Sequence, residues 1–176
     1  MGPAAVLDVL DALESAGARA GVTGGWGIDA LLGRETRPHD DVDLGIADDA
    51  VAAAIDALAG LGYRVELDER PGRVQLNGPT GRVDLHPIRW EADGHGRQVG
   101  LHGEVFDYPP GRLDAPGRIA GRLVRCGTPA LQLAFHEGYA PRDHDRRDMQ
   151  ALAEAFGLPL PAAYAAAARA PGSPPT

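Results

Sequence analysis

Lysine is absent from this chain of 176 residues: all 17 basic residues are arginine. That excludes Schiff-base chemistry and the phosphate-gripping lysine of a P-loop. Cysteine is nearly absent too. The single Cys126 cannot close an internal disulfide, and it rules out zinc or iron–sulfur sites built from several thiolates. It reads as a small buried apolar side chain in a reduced, cytoplasmic protein. No apolar run approaches the ~18 residues of a membrane span. The N-terminal MGPAAVLDVLDALES lacks a basic leader and carries Asp8 and Asp11 within its apolar pattern, so it reads as an amphipathic helix and not as a signal peptide. Excess positive charge is missing as well. The net charge is −8 and there is no basic stripe, which argues against a grip on long nucleic acid or tRNA.

What is present is an ordinary globular composition, 44% apolar and 24% charged. The length suits one domain, with a core of its own. Pro3 opens a helix whose Val6, Leu10 and Leu13 recur at helical spacing until Gly17. A strand from Arg19 to Thr23 runs into Gly24–Gly25, and a short helix follows from Trp26 to Leu32. RETRPHD at 34–40 is a polar loop. DVDLGI at 41–46 alternates as a strand, and Asp48–Asp49 start an Ala-rich helix reaching Gly60 or Gly62. Three strands follow, YRVELDE, GRVQLNG and GRVDLHPI, separated by Pro71–Gly72 and by NGPTG. Short strands are expected near Gln98–Leu101 and Leu123–Cys126. Thr128–Pro129 caps a helical region, 129–138, 143–156 and 161–169. The tail APGSPPT is expected to be disordered. The architecture is therefore α+β: a small mixed sheet with helices on one side over 1–109, then a mostly helical portion over 110–170. Pro109–Pro110 marks the expected junction, and 171–176 is the tail.

Three features carry chemistry. A strand–Gly-Gly–helix turn at Gly24–Gly25 exposes backbone N–H groups at a helix N-terminus, where phosphate oxygens bind; its plain alternative is a tight turn that needs glycine. Asp41 and Asp43 leave one face of a strand roughly 6.6 Å apart at the backbone. Carboxylates drawn to about 4 Å repel by about 4 kcal/mol at an effective dielectric of 20. A divalent metal reverses that sign; the plain alternative is a solvated strand face. Asp84 sits inside the apolar strand pattern of RVDLHPI with His86 on the same face, and either the metal pair or an arginine can partner it. The three together fit nucleotidyl transfer from a nucleoside triphosphate. Two carboxylates hold Mg²⁺ on the phosphates, and a third holds a second ion or takes the proton from the attacking hydroxyl.

GGWGIDALLGRETRPHDDVDL resembles the antibiotic nucleotidyltransferases of the polymerase-β-like superfamily. VDLHPIRWEADG and LAFHEGYAPRDHDRRDMQAL are similar to the small lincosamide nucleotidyltransferases, and IAGRLVRC is similar to the aminoglycoside two-double-prime enzymes. The resemblance implies a polymerase-β-like nucleotidyltransferase core. It implies Asp41 and Asp43 as metal ligands, with Asp84 as third ligand, general base or both. Gly24 and Gly25 would cradle phosphate. His136, Glu137 and Tyr139 fall in the segment that helps form the acceptor site, with His86 beside them. Trp26 follows Gly-Gly where the wider superfamily carries Ser, so Arg34, Arg37 or His39 would take over phosphate contacts. The implied cofactors are Mg²⁺, as two ions, with ATP or another triphosphate as co-substrate. The implied partner is a small antibiotic, a lincosamide first and an aminoglycoside second, and a homodimer is compatible with such small enzymes. Asp29 is expected to support Arg37. Arg118, Arg122 and Arg125 are expected on a solvated face. The acidic and basic residues from Arg142 to Asp148 are expected to pair along an exposed helix.

Overall fold

Alternation along the central strands builds two unlike sheet faces, and that division positions everything else. A computed structural model of the chain describes residues 1–101, 103–137 and 140–165. In order they form α1 (Pro3–Ser15), β1 (Ala20–Thr23), α2 (Gly24–Leu32), β2 (Asp41–Ala47), a 3-10 turn at Asp48–Ala50, α3 (Val51–Gly60), β3 (Arg64–Glu69), β4 (Arg73–Gly78), β5 (Gly81–Trp90), β6 (Gly96–Val99), β7 (Val105–Tyr108), β8 (Ala115–Ile119), β9 (Arg122–Cys126), α4 (Pro129–Phe135), α5 (Asp143–Phe156) and α6 (Ala162–Ala165). The sheet runs β3-β4-β5-β2-β1-β9-β8, and β6 and β7 extend from the far end of β5. β2 is parallel to β5 and antiparallel to β1, while β1 is parallel to β9, so the sheet is mixed as expected.

Register decides which side chains share a face. Val42 lies opposite Val83 and Leu44 opposite Leu85; Leu76 and Val74 continue those rows on β4. This face is buried against Val6, Val9 and Leu13 of α1, Ala30 of α2, and Val51, Ala54 and Leu58 of α3. α1, α2 and α3 lie on this side because its apolar rows give them a surface to bury against. Ile28 on the outer side of α2 packs against Leu133, Met149, Leu152 and Tyr164, which docks the C-terminal helices.

The opposite face is polar at one end and apolar at the other. A Cβ on Gly21 or on Gly45 would collide with Leu113. These two glycines let the loop after β7 lie flat on β1 and β2. Leu113 is buried there with Ile88, Tyr108 and Leu131. The junction expected at Pro109–Pro110 thus falls within the sheet's own chain path. Residues 115–126 are not helical: they form a hairpin whose β9 pairs with β1, and helices begin only at Pro129. The glycines and prolines of this stretch mark tight turns between short strands, a pattern that resists periodicity reading. The α4 helix ends at Phe135 and does not reach 138. α6 is described to Ala165, and the tail 171–176 lies outside the described residues. Cys126 is buried, and burial pushes its thiol up to about 12. No helix among the described residues is long and apolar enough to cross a membrane.

Candidate active site

The polar end of the open face is one row of the register. Asp43 lies directly opposite Asp84 across the parallel β2–β5 pair, and opposite Thr23 on β1. Gln75 on β4 continues the row beyond Asp84. One row down, Asp41 lies opposite Arg82; one row up, Gly45 lies opposite His86. Asp41, Asp43, Asp84 and His86, chosen from two separate sequence segments, are thus brought to one patch. They line a cleft of about 430 Å³ with Gly24, Gly25, Arg37, Tyr108, Phe135 and His136, among others.

Each carboxylate is held differently. Arg82 Nη2 donates to Asp41 Oδ2 at 2.6 Å, and Arg82 Nε lies 3.7 Å from Asp84 Oδ1. Asp84 accepts from Gln75 Nε2 at 3.0 Å. Asp43 Oδ1 faces His86 Nε2 at 3.1 Å. Burial together with the Asp43 charge raises the Asp84 carboxyl above the ordinary range, against the hydrogen bond from Gln75 and the charge of Arg82. For Asp43 the balance is reversed: burial opposes ionisation, but the His86 hydrogen bond and the surrounding positive charge of His86, Arg82 and His136 outweigh it and hold that carboxyl below its ordinary value. Neighbouring carboxylates whose pKa values are pushed in opposite directions are a pattern that clusters at functional sites.

The Gly24–Gly25 turn sits directly over this pair. Gly24 has φ +61°, and a Cβ there would run into the Asp43 carboxylate. Glycine is needed twice, for its left-handed backbone and for the approach of Asp43. A Cβ on Gly25 would meet the His39 ring and Arg37 Nη2, at 2.6 and 2.7 Å. Arg37 therefore reaches the turn, and Asp148 of α5 tethers it at 3.0 Å. Asp29 does not support Arg37. It is buried and holds the polar loop instead, accepting from the Thr36 backbone N–H at 3.0 Å and pairing with His39 Nε2 at 2.6 Å.

Several sequence expectations fall elsewhere. His39 is 5% exposed, packed at a tilt against the Trp26 ring and paired with Asp29, so it braces the turn from beneath and is not among the residues that line the cleft. Arg34 is exposed and outside the cleft lining. Glu137 faces solvent, because α4 stops two residues earlier and its helical face ends with it. Tyr139 lies outside the described residues. His136 does line the cleft; its Nδ1 contacts the Gln132 carbonyl at 2.7 Å.

The α5 acids are the main surprise. Asp145 and Asp148 are each 5% exposed, not spread along a solvated helix. Asp145 caps α5 by accepting from Arg142 N–H at 2.9 Å, with His144 Nε2 at 3.3 Å. The sequence signal was the i, i+3 spacing of these two acids, which puts them on the same side as Met149 and Leu152, the helix's buried residues. Arg122 and Arg125, by contrast, pair with Asp11 and Asp114 on the surface as expected. A wall of Phe106, Tyr108 and Phe135 closes the cleft; Phe135 meets Phe106 edge-on, with centroids 5.7 Å apart.

Three carboxylates on a mixed sheet, facing a Gly-Gly helix start, define a nucleotidyltransferase of the polymerase-β-like fold. Residues 5–152 match the model of the aminoglycoside-2''-adenylyltransferase family, and the chain belongs to that family. It is 29% identical over 145 residues, 82% of this chain and 89% of the relative, to a lincosamide resistance protein of Staphylococcus haemolyticus. It is 34% identical over 109 residues to a 2''-aminoglycoside nucleotidyltransferase of Klebsiella pneumoniae, which covers 61% of this chain and 56% of that relative. Among solved structures, the lincomycin-bound lincosamide antibiotic adenylyltransferase LnuA superposes with a TM-score of 0.74 at 28% identity, covering 84% of this chain and 93% of the other. ANT(2'')-Ia in complex with adenylyl-2''-tobramycin shares the fold, with a TM-score of 0.71 at 24% identity over 88% of this chain and 89% of the other. The chain is accordingly an enzyme that transfers nucleotidyl groups.

Proposed function

We propose that this enzyme transfers AMP from ATP to a hydroxyl of a small antibiotic, a lincosamide, releasing pyrophosphate. The carrying observation is the single register row in which Asp43 and Asp84 face each other beneath the Gly24 turn. Mg²⁺ fits this row. Among the described residues no three acidic, His or Cys side chains already enclose one point, and Mg²⁺ needs no such cage: it takes one or two carboxylates and completes its shell with water and phosphate. Arg82 already bridges Asp41 toward Asp84, so the row draws positive charge. Asp41, Asp43 and Asp84 are the residues that would hold one or two ions, whose charge would offset that of the triphosphate.

The protein's own groups divide the work. Gly24 and Gly25 offer backbone N–H groups to the phosphate tail, and Arg37 adds a guanidinium over the same turn. Asp84 takes the proton from the attacking hydroxyl, and its raised pKa brings it nearer to what a base at neutral pH needs. The oxygen freed of its proton bonds to the α-phosphorus as the bond to pyrophosphate breaks, in line. Phe106, Tyr108 and Phe135 exclude water on the acceptor side, and His136 and Asp145 offer polar contacts there. As ATP is an intracellular resource, the reading puts the enzyme in the cytoplasm.

An aminoglycoside is the second reading, and the family match favours it. The cleft lining favours the lincosamide. Asp41, Asp43, Asp84 and Asp145 are matched there by Arg37, Arg73, Arg82 and Arg142. With three of the acids committed to the metal, Asp145 is the acid left on the acceptor side, and it is already shared with the Arg142 N–H and His144. One carboxylate beside an aromatic wall suits a single amine with an apolar arm better than a polycation. Steady-state kinetics with lincomycin, clindamycin, kanamycin and tobramycin tests this: a kcat/KM at least tenfold higher for the lincosamides is expected, and the reverse order would reassign the acceptor.

A further inference from the structure

Four arginines line the cleft, Arg37, Arg73, Arg82 and Arg142, and three are accounted for. Arg37 stands over the phosphate turn, tethered to Asp148. Arg82 binds Asp41 and reaches toward Asp84. The Arg142 side chain is 71% exposed. Arg73 is left: its side chain is only 25% exposed, and the nucleotide chemistry gives it no task.

Strand alternation sets its direction. Val74 and Leu76 are buried in the core beneath the helices, so Arg73 and Gln75 project from the open face of β4. Gln75 donates to Asp84, and Arg73 stands one step further along the same face. Glu69, its register partner on β3, accepts from Arg73 Nη2 at 3.1 Å and steadies the guanidinium. Among the described residues the side chain makes no other hydrogen bond, and its buried Nε has no partner.

The turn before Arg73 fixes which flank of the cleft it occupies. A Cβ on Gly72 would meet Leu101 at 3.2 Å and the Val99 carbonyl at 3.4 Å, so the β3–β4 hairpin abuts the β6–β7 ribbon. That ribbon carries Gln98, Phe106 and Tyr108 of the cleft. Arg73 therefore occupies the corner between Asp84 and the aromatic wall. The Gly24 turn lies on the other side, over Asp43. In-line displacement brings the attacking hydroxyl from the side opposite the leaving pyrophosphate. With the phosphates at Gly24 and Gly25, that is the flank of Arg73.

We propose that Arg73 is a specificity-determining residue of the acceptor site. Its guanidinium cation repels ammonium groups on the ring that carries the attacked hydroxyl, and its free Nη1 donates to neutral oxygens there. The acceptor class it selects is a neutral, hydroxyl-rich sugar whose cationic group sits on a separate arm. Such an arm can lie near Asp145, away from Arg73; a sugar bearing several amines cannot escape the repulsion. The inference rests on the nucleotidyl-transfer reading for which flank receives the acceptor, but the repulsion is measured without turnover.

Titration calorimetry of the full-length enzyme tests it, with Mg²⁺ and the α,β-methylene analogue of ATP present. The probes are tobramycin, a polyamine, and lincomycin, a monoamine. Arg73→Gln should tighten tobramycin at least about fivefold and should not tighten lincomycin. Arg73→Lys keeps the charge and should bind tobramycin as the wild type does. Arg19→Gln removes the same charge from an exposed position outside the cleft, and should change tobramycin affinity less than about twofold. Tobramycin binding that Arg73→Gln leaves unchanged, undetectable binding included, overturns the proposal. So does an equal effect of Arg19→Gln, which would reflect net charge alone. In turnover, Arg73→Gln should raise kcat/KM for tobramycin relative to lincomycin by a similar factor; a raised KM for ATP with acceptor selectivity unchanged would assign Arg73 to the nucleotide instead. If the wild-type enzyme transfers no nucleotide to either drug, the functional reading fails while the tobramycin titrations still decide the role of Arg73.

Discussion

Replacing Gly24 by alanine separates the backbone demand of the phosphate turn from its contact with Asp43. Gly24 has φ +61° and Gly33, at the other end of the same helix, has φ +69°. Both variants incur the left-handed backbone cost of about 1–2 kcal/mol. At ~2–4 °C per kcal/mol for a chain of this size, that lowers Tm by about 2–8 °C. The surroundings differ. A Cβ on Gly33 meets nothing within 4 Å, whereas on Gly24 it overlaps Asp43 Oδ2 and lies 2.9 Å from Cγ and 3.1 Å from Cβ. Rotating the carboxylate away does not remove the last contact, so Asp43 must shift as a whole and leave His86. The added overpacking costs a further ~1–3 kcal/mol. Gly24→Ala should therefore melt below Gly33→Ala. Assayed as pyrophosphate release well below both midpoints, Gly24→Ala should lose at least ~100-fold in kcat, about 2.7 kcal/mol of barrier. Gly33→Ala should stay within about threefold of wild type. If the two variants turn over alike, Asp43 is not held at the chemistry by this turn, and the site as drawn is wrong.

Other outcomes are equally specific. Asp84→Asn should raise Tm at pH 7, because a carboxyl whose folded pKa is raised loses stability as pH climbs from the ordinary carboxylate value to the raised one; the gain should vanish in melts below about pH 3.9. No gain at pH 7 would mean that Asp84 is not strained by burial and by Asp43. Asp148→Asn should raise the KM for ATP at least fivefold with a smaller change in the acceptor KM, since Arg37 loses its tether; a purely acceptor-side defect would detach Arg37 from the nucleotide. Mg²⁺ at about 100 times its Kd should stabilise the protein by about 2.7 kcal/mol in thermal melts, and Asp43→Asn should remove that shift. An unchanged shift would assign the ion to other residues.

Much of the site was legible because strand alternation maps onto faces. DVDLGI and RVDLHPI each put carboxylates on one side and Val or Leu on the other, and the parallel register then aligns Asp43 with Asp84. The Gly-Gly turn was legible for a similarly local reason. What stayed hidden depended on long-range packing. Asp145 and Asp148 share the side of α5 that carries Met149 and Leu152, but their charge and i, i+3 spacing also fit a solvated face, and it is the docking of α5 on α2 that buries them. His39 and Arg37 lie two residues apart in one polar loop, yet Asp29 pulls one inward and Asp148 holds the other at the cleft. Gly21 and Gly45 look like ordinary strand glycines until Leu113 is seen to need their missing side chains. Gln98 and Tyr108 reached the site through a ribbon whose strands are only four residues each, too short for a period to show.

Mass spectrometry of lincomycin after incubation with the enzyme, ATP and Mg²⁺ addresses the central claim most directly. The carboxylate row beneath the Gly24 turn predicts lincomycin carrying one added AMP in stoichiometry with released pyrophosphate, and no adduct with Asp84→Asn. Lincomycin recovered unmodified, with no adduct on any lincosamide or aminoglycoside tried alongside it, would contradict the assignment of this cleft to antibiotic nucleotidyl transfer.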